Sequence, residues 1–174
     1  EEMLRRRLNV AWAAFARVDT VTPDLAELMK RAGCTWVLFG VESADEGILK
    51  TIRKGITRDK VRAGVKIVRD AGIMAFNSFI LGLPGESPET VRTSMSFADE
   101  LNRDFGAAYG FHVLSPLPGT QVYEKADEYG IRILSRNLAR YDANHVITET
   151  PLMKAGMMKD VIAVYDQQME EAWR

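Results

Sequence analysis

The residues able to do chemistry in this chain gather where apolar runs end. Arg17 and Asp19 close the run at 9–18, and Glu42 and Ser43 follow TWVLFGV. Gly82 to Glu86, within the phrase FILGLPGES, end a third run, and Ser115 to Thr120 end a fourth. A charge set directly behind an apolar segment needs water, an opposite charge or a ligand. Together the four groups offer carboxylates, a guanidinium, hydroxyls and exposed backbone. That set suits a polar, zwitterionic or sugar-bearing ligand. Each feature also has a purely structural use. Ser43 and Ser87 suit helix N-caps, Glu86 suits the positive end of a helix, and Gly82 and Gly85 suit tight turns. Arg17 and Glu42 are able to pair with each other across the rim.

The elements that must position these residues repeat along the chain. LAELMKRAGCTWVLFGVES, VRAGVKIVRDAGIMAFNSFILGLPGES and MSFADELNRDFGAAYGFHVLSPLPGT share one layout: helix pattern, glycine stop, apolar strand, polar turn. The stops at Gly33, Gly72 and Gly106 lie 39 and 34 residues apart. Alternating helix and strand at that period predicts an α/β fold with a parallel sheet. In such sheets ligands gather at the C-terminal strand ends, which would bring all four polar groups to one rim.

Helix starts are legible at Thr22-Pro23-Asp24, Thr57 and Ser87-Pro88-Glu89, and Ser43 is expected to cap the short helix that Gly55 stops. Leu25, Leu28 and Met29 make one predicted apolar stripe; Val61, Val65 and Val68 make another, and Val91, Met95, Ala98 and Leu101 a third. Val161, Tyr165, Met169 and Trp173 mark an amphipathic C-terminal helix. Four strands are expected, at 9–18, 35–41, 73–82 and 110–116. They are apolar throughout, which predicts cover on both faces. A closed eight-unit barrel takes roughly 250 residues, more than the 174 here. The opening EEMLRRRLN reads as a helix tail without a cap. Both features favour a piece of a larger α/β domain over a complete small doubly wound one.

Bulk properties exclude several classes. Net charge is -1 and the basic residues are scattered, so no nucleic-acid footprint is expected. No apolar run reaches the ~18 residues of a membrane span, and no secretory signal is seen. Dinucleotide and P-loop glycine motifs are absent. His112 and His145 lie far apart, and the single cysteine, Cys34, cannot build a zinc or iron–sulfur site by itself. Cys34 reads as a small buried residue and suits a reducing cytoplasm. Phe15, Trp36, Phe39, Phe79 and Phe111 read as core or barrel-lining residues.

The ordered set LAELMKRAGCTWVLFGVES, ILKTIRKGIT, AGIMAFNSFILGLPGES and LSPLPGTQVYEKADEYG resembles the middle and end of a radical S-adenosylmethionine (SAM) domain. Its flavour is that of the branch associated with cobalamin, which includes anaerobic magnesium-protoporphyrin ester cyclase-like proteins. The resemblance implies strands three to six of a partial (β/α)6 TIM-like barrel, about four βα units, over residues 1–134. Residues 135–174 would be an extension ending in a helix. It implies that Glu42, with Ser43, reaches the ribose or amino-acid part of SAM, and that Arg17 stands near the SAM carboxylate or substrate. It places the backbone at Gly82 and Leu83 beside the adenine, with Leu114 to Leu117 completing that pocket. NSFILGLPGE departs from the family's GxIxGxxE pattern, with Ser78 at the first glycine and Glu86 one position late. The family's Cys-x3-Cys-x2-Cys cluster loop is absent, so the 4Fe–4S ligands would lie outside this chain.

On this reading the chain is a fragment of a radical SAM oxidoreductase or methyltransferase, inactive alone. Its cofactors would be SAM and the cluster, with cobalamin a further one in the full-length protein. It would act on a small-molecule substrate, without nucleic acid or membrane, in the cytoplasm, and would self-associate through the sheet edge left open. The alternative from another class is a complete, non-catalytic α/β module binding a small polar ligand or a partner protein. A phosphate-binding barrel lyase ranks below both, because no lysine or metal cluster stands at a strand end.

Overall fold

The computed structural model describes residues 1–172, with side chains through 166. Strands β1 (Trp12–Ala16), β2 (Cys34–Glu42), β3 (Met74–Leu81) and β4 (Ala108–Val113) form one sheet in the order β1-β2-β3-β4. Every neighbouring pair is parallel. Consecutive parallel strands that never reverse direction of growth belong to the barrel type of α/β fold. A doubly wound sheet would switch order at its centre. The small doubly wound alternative is therefore corrected by the strand order.

The crossovers are helical. A short α1 (Glu2–Arg5) precedes the sheet, α2 (Pro23–Arg31) joins β1 to β2, and α5 (Pro88–Phe105) joins β3 to β4. Between β2 and β3 run α3 (Glu46–Thr51) and α4 (Arg58–Asp70). Thr22, Thr57 and Ser87 cap α2, α4 and α5 through their hydroxyls, and Ser87 and Thr90 complete a reciprocal capping box. The cap of α3 is Asp45, whose Oδ1 accepts from the Ile48 amide at 2.9 Å. Ser43 stands two residues too early for that role. On α2, Ala26 is buried and Met29 packs on the core, while Leu25 is exposed. A small residue there lets the helix lie close to the sheet, so the stripe turns by one position.

The core lies between the helices and one face of the sheet. Val37, Phe39 and Val41 of β2, and Ala75, Phe79 and Leu81 of β3, meet Val61, Val65 and Val68 of α4 and Val91, Ala98 and Leu101 of α5. The opposite face is open, contrary to the two-sided cover that apolar strands predict. Phe15, Leu38, Phe76 and Ala108 pair in one row across the four strands. Phe15 on the edge strand is 88% exposed. Phe39, Phe79 and Phe111 are buried, whereas Phe15 and Trp36 sit on the open side.

Beyond the sheet come a short α6 (Gln121–Glu124), a two-residue pair β5 (Arg132–Ile133) and β6 (Thr148–Glu149), and α7 (Ala155–Ala172). β5 and β6 are antiparallel; strands of two residues carry no readable periodicity. Met158 is fully buried, and Val161, Ile162 and Tyr165 pack against the core. Tyr165 donates its hydroxyl hydrogen to the Tyr109 carbonyl at 2.5 Å. Met169 and Trp173, also placed on this face by the sequence, lie outside the described side chains. Among the described residues no helix is long and apolar enough to cross a membrane.

Candidate functional site at the strand ends

The C-terminal ends of β1 and β2 carry a knot of charge. The Arg17 guanidinium donates to both carboxylate oxygens of Asp19, at 3.1 and 3.0 Å, and to the carbonyl of Lys54 at 3.0 Å. Lys54 in turn donates its ammonium hydrogen to Glu42 Oε1 at 2.7 Å. Both partners of that pair keep about a fifth of their side-chain surface, 20% for Lys54 and 18% for Glu42. The parallel pairing slips between Gly40 and Glu42. Glu42 there adopts a left-handed backbone with φ of 68°. A residue with a side chain holds that conformation at a cost of order 1 kcal/mol or more, and such strain collects at functional sites. The result is a carboxylate folded back over Gly40, where an added Cβ would stand 2.5 Å from Glu42 Oε1. The expected Arg17–Glu42 pairing is replaced by two separate contacts to Lys54, one to its carbonyl and one to its ammonium.

Ser43, the next residue, turns the other way. It is fully buried, its hydroxyl 3.3 Å from that of Ser94 on α5, and it accepts from the Asp45 amide at 3.1 Å. Its surroundings tie β2 to α5.

At the end of β3, Gly82 has φ of 87°. Its amide donates to Glu86 Oε2 at 2.6 Å. Glu86 is only 1% exposed. Burial pushes its carboxyl up to about 7, against the opposing pull of the Gly82 and Leu83 amides. The room a side chain would need at Gly82 is taken by the protein itself: Met158 Sδ stands 3.0 Å from that Cβ position and Thr148 Oγ1 3.7 Å. At the end of β4, the Leu114 amide donates to Leu81 and its carbonyl accepts from Thr148 Oγ1 at 3.1 Å. The Ser115 hydroxyl is buried with no hydrogen-bond partner among the described residues. Leu117 is 52% exposed, beyond the strand end.

Leu83 and Leu114 line one cleft of 290 Å³, together with Ile52, Arg53, Val122 and Tyr129 among others. The segment Ile52–Arg53 that lines this cleft runs directly into Lys54 of the charged knot. One loop therefore links an apolar slot to an ion pair. Apolar walls with a few fixed charges are what a small ring-bearing zwitterion needs. Of the residues singled out from sequence, Arg17 and Glu42 meet at the knot through Lys54. Leu83 and Leu114 meet at the cleft. Gly82 stands behind the cleft wall, and Ser43 and Leu117 belong to neither group. Lys54 is not among the residues singled out, and the expectation that no lysine stands at a strand end is corrected: the loop after α3 brings the Lys54 ammonium to Glu42 at the end of β2. The only local signal of Lys54 is its place just before Gly55, and its partner is twelve residues away.

No set of three or more His, Cys, Asp or Glu able to hold a metal occurs among the described residues. Cys34 is buried, and burial pushes its thiol up. These residues do not fit an iron–sulfur cluster.

Comparison with known proteins gives the fold a family. The radical SAM superfamily model matches residues 2–98. Over 147 residues the chain is 37% identical to an uncharacterized methyltransferase of Pyrococcus horikoshii, covering 84% of this chain and 30% of that protein. Over 160 residues it is 28% identical to the anaerobic magnesium-protoporphyrin IX monomethyl ester cyclase of Rubrivivax gelatinosus, covering 91% of this chain and 27% of that one. Its fold is similar to that of the radical SAM methyltransferase TsrM from Kitasatospora setae, solved with cobalamin and a 4Fe–4S cluster bound. The TM-score is 0.65 at 26% identity, over 78% of this chain and 29% of that one. The chain thus spans less than a third of the length of these relatives. With the family model matched over more than half of its residues, the chain belongs to the radical SAM superfamily.

Proposed function

We propose that this chain is the SAM-holding part of a larger radical SAM enzyme, with residues 1–134 in the barrel and the rest an extension buttressing its rim. Radical SAM enzymes use SAM and a 4Fe–4S cluster. Held by ligands outside these residues, the cluster would supply the redox chemistry for SAM cleavage. The residues of this chain bind and orient SAM instead. Glu42 accepts the ammonium of the methionyl group while Lys54 and Arg17 face its carboxylate, so the zwitterion takes the place of the resting Glu42–Lys54 pair. Leu83 and Leu114 receive the adenine between apolar walls and backbone, and Leu117, exposed beyond the strand end, stands outside this site.

The observation that carries this reading is the loop 52–54, which joins the Leu83–Leu114 cleft to the Glu42–Lys54 pair. Methyl transfer is the reaction favoured for the whole enzyme, on the names of the Pyrococcus and Kitasatospora proteins. Cobalamin as a further cofactor is supported by the Kitasatospora structure. A cytoplasmic enzyme with cluster ligands outside these residues completes the proposal. The full gene product, reconstituted anaerobically with iron and sulfide and supplied with a reductant, should convert SAM to 5′-deoxyadenosine or to S-adenosylhomocysteine. The 174-residue chain should do neither. Neither product from the full protein would overturn the proposal.

A further inference from the structure

Three residues that do not line the cleft hold its walls from behind. The first is Glu86, whose buried carboxylate accepts from the Gly82 amide at 2.6 Å and so fixes the turn that presents Leu83 and Pro84. The second is Thr148 of β6, fully buried, which donates to the Leu114 carbonyl at 3.1 Å. The third is Met158 of α7, packed into the space beside Gly82. Two of the three come from the C-terminal extension, which contacts both walls at once: Thr148 Oγ1 also stands 3.7 Å from the Gly82 Cβ position.

A buried carboxylate away from any charged partner is costly, and nothing in local folding requires one here. The α5 cap is already complete with Ser87 and Thr90. We propose that Glu86 and Thr148 are positioning residues: they set the spacing between the Leu83 and Leu114 walls, so that the C-terminal extension is a working part of the ligand site. The proposal rests on the SAM reading for the identity of the ligand, but not for the brace itself.

The test compares Glu86→Ala, Glu86→Gln, Thr148→Val and Thr148→Ser in the full gene product. The first readout is amide hydrogen exchange, which needs no ligand. Glu86→Ala should raise exchange at Gly82 and Leu83 by about tenfold, the loss of one buried hydrogen bond, with α4 unchanged. Glu86→Gln, which keeps an acceptor, should restore protection. The second readout is SAM affinity by calorimetry. Glu86→Ala and Thr148→Val should each weaken it by about tenfold, and Glu86→Gln and Thr148→Ser should recover most of it. Unchanged exchange at Gly82 and Leu83 in Glu86→Ala would overturn the brace, as would a Gln variant no better than Ala. Wild-type full gene product that fails to bind SAM while the exchange pattern holds would overturn the SAM reading and leave the brace standing.

Discussion

Met158 Sδ lies 3.0 Å from the point where a side chain at Gly82 would begin. The glycine that interrupts FILGLPGES thus answers to the chain's own C-terminal helix as well as to its φ of 87°. Gly82→Ala should cost about 2 kcal/mol through backbone strain and the contact with Met158. Met158→Ala should cost about 3 kcal/mol through its cavity. The two together should cost about 1 kcal/mol less than their sum, because the smaller residue at 158 makes room for the larger one at 82. Urea unfolding of the four proteins measures this; strict additivity would contradict it.

At Glu42 stability and binding should separate. Its left-handed backbone is strained in any variant with a Cβ, and glycine removes the strain. Glu42→Gly should therefore be more stable than Glu42→Ala by about 1 kcal/mol, while both lose SAM affinity by at least about tenfold with the carboxylate gone. Thermal unfolding and calorimetry together check the point. Equal stability of the two variants would show that the backbone is not held as described.

Glu86 gives a pH signature. Its carboxyl sits at about 7 in the fold, above its ordinary 4.5, because burial disfavours the charge. The folded state therefore keeps the proton to higher pH than the unfolded chain does. This contribution is greatest below about pH 4.5, falls as pH rises towards 7 and is flat beyond, for a total of about 3 kcal/mol. Asp19 and Glu100, held low by Arg17 and Arg62 respectively, act in more acidic solution. The window from pH 5 to 7 is thus set mainly by Glu86. Stability of wild type minus Glu86→Gln should fall across that window. Parallel profiles would refute the assignment.

The extent to which these features are legible in sequence follows the range of the contacts. Strand–helix alternation, the caps at Thr22, Thr57 and Ser87, and the burial of Val61, Val65 and Val68 are local patterns, and the structure contains them. The α3 cap moves from Ser43 to Asp45 because Ser43 is drawn into a contact with Ser94, 51 residues away. Lys54 was invisible because its role depends on a register slip and a left-handed glutamate that no spacing announces. Phe15 reads as core or barrel-lining, and which of the two holds depends on neighbours of the strand that periodicity does not reveal. The brace at Glu86, Thr148 and Met158 joins segments whose proximity exists only in three dimensions.

The open face of the sheet bears on association. Phe15 is 88% exposed on edge strand β1, within a stretch, AWAAFA, that carries no charge. Unprotected edges and apolar faces attract further copies. We propose that the 174-residue chain self-associates through this edge. Sedimentation should show concentration-dependent dimers or larger species that Phe15→Lys disperses. A monomer at high concentration would count against it.

The central claim is that the strand-end rim, through the Glu42–Lys54 pair and the Leu83–Leu114 cleft, is a SAM site. Calorimetric titration of SAM into the full gene product, wild type beside Lys54→Met, tests it most directly. The account predicts one site in the wild type and an affinity reduced by about tenfold or more in the variant, the effect of removing a charge-assisted hydrogen bond. Wild-type protein that binds no SAM, or a Lys54→Met variant that binds it equally well, would contradict the claim.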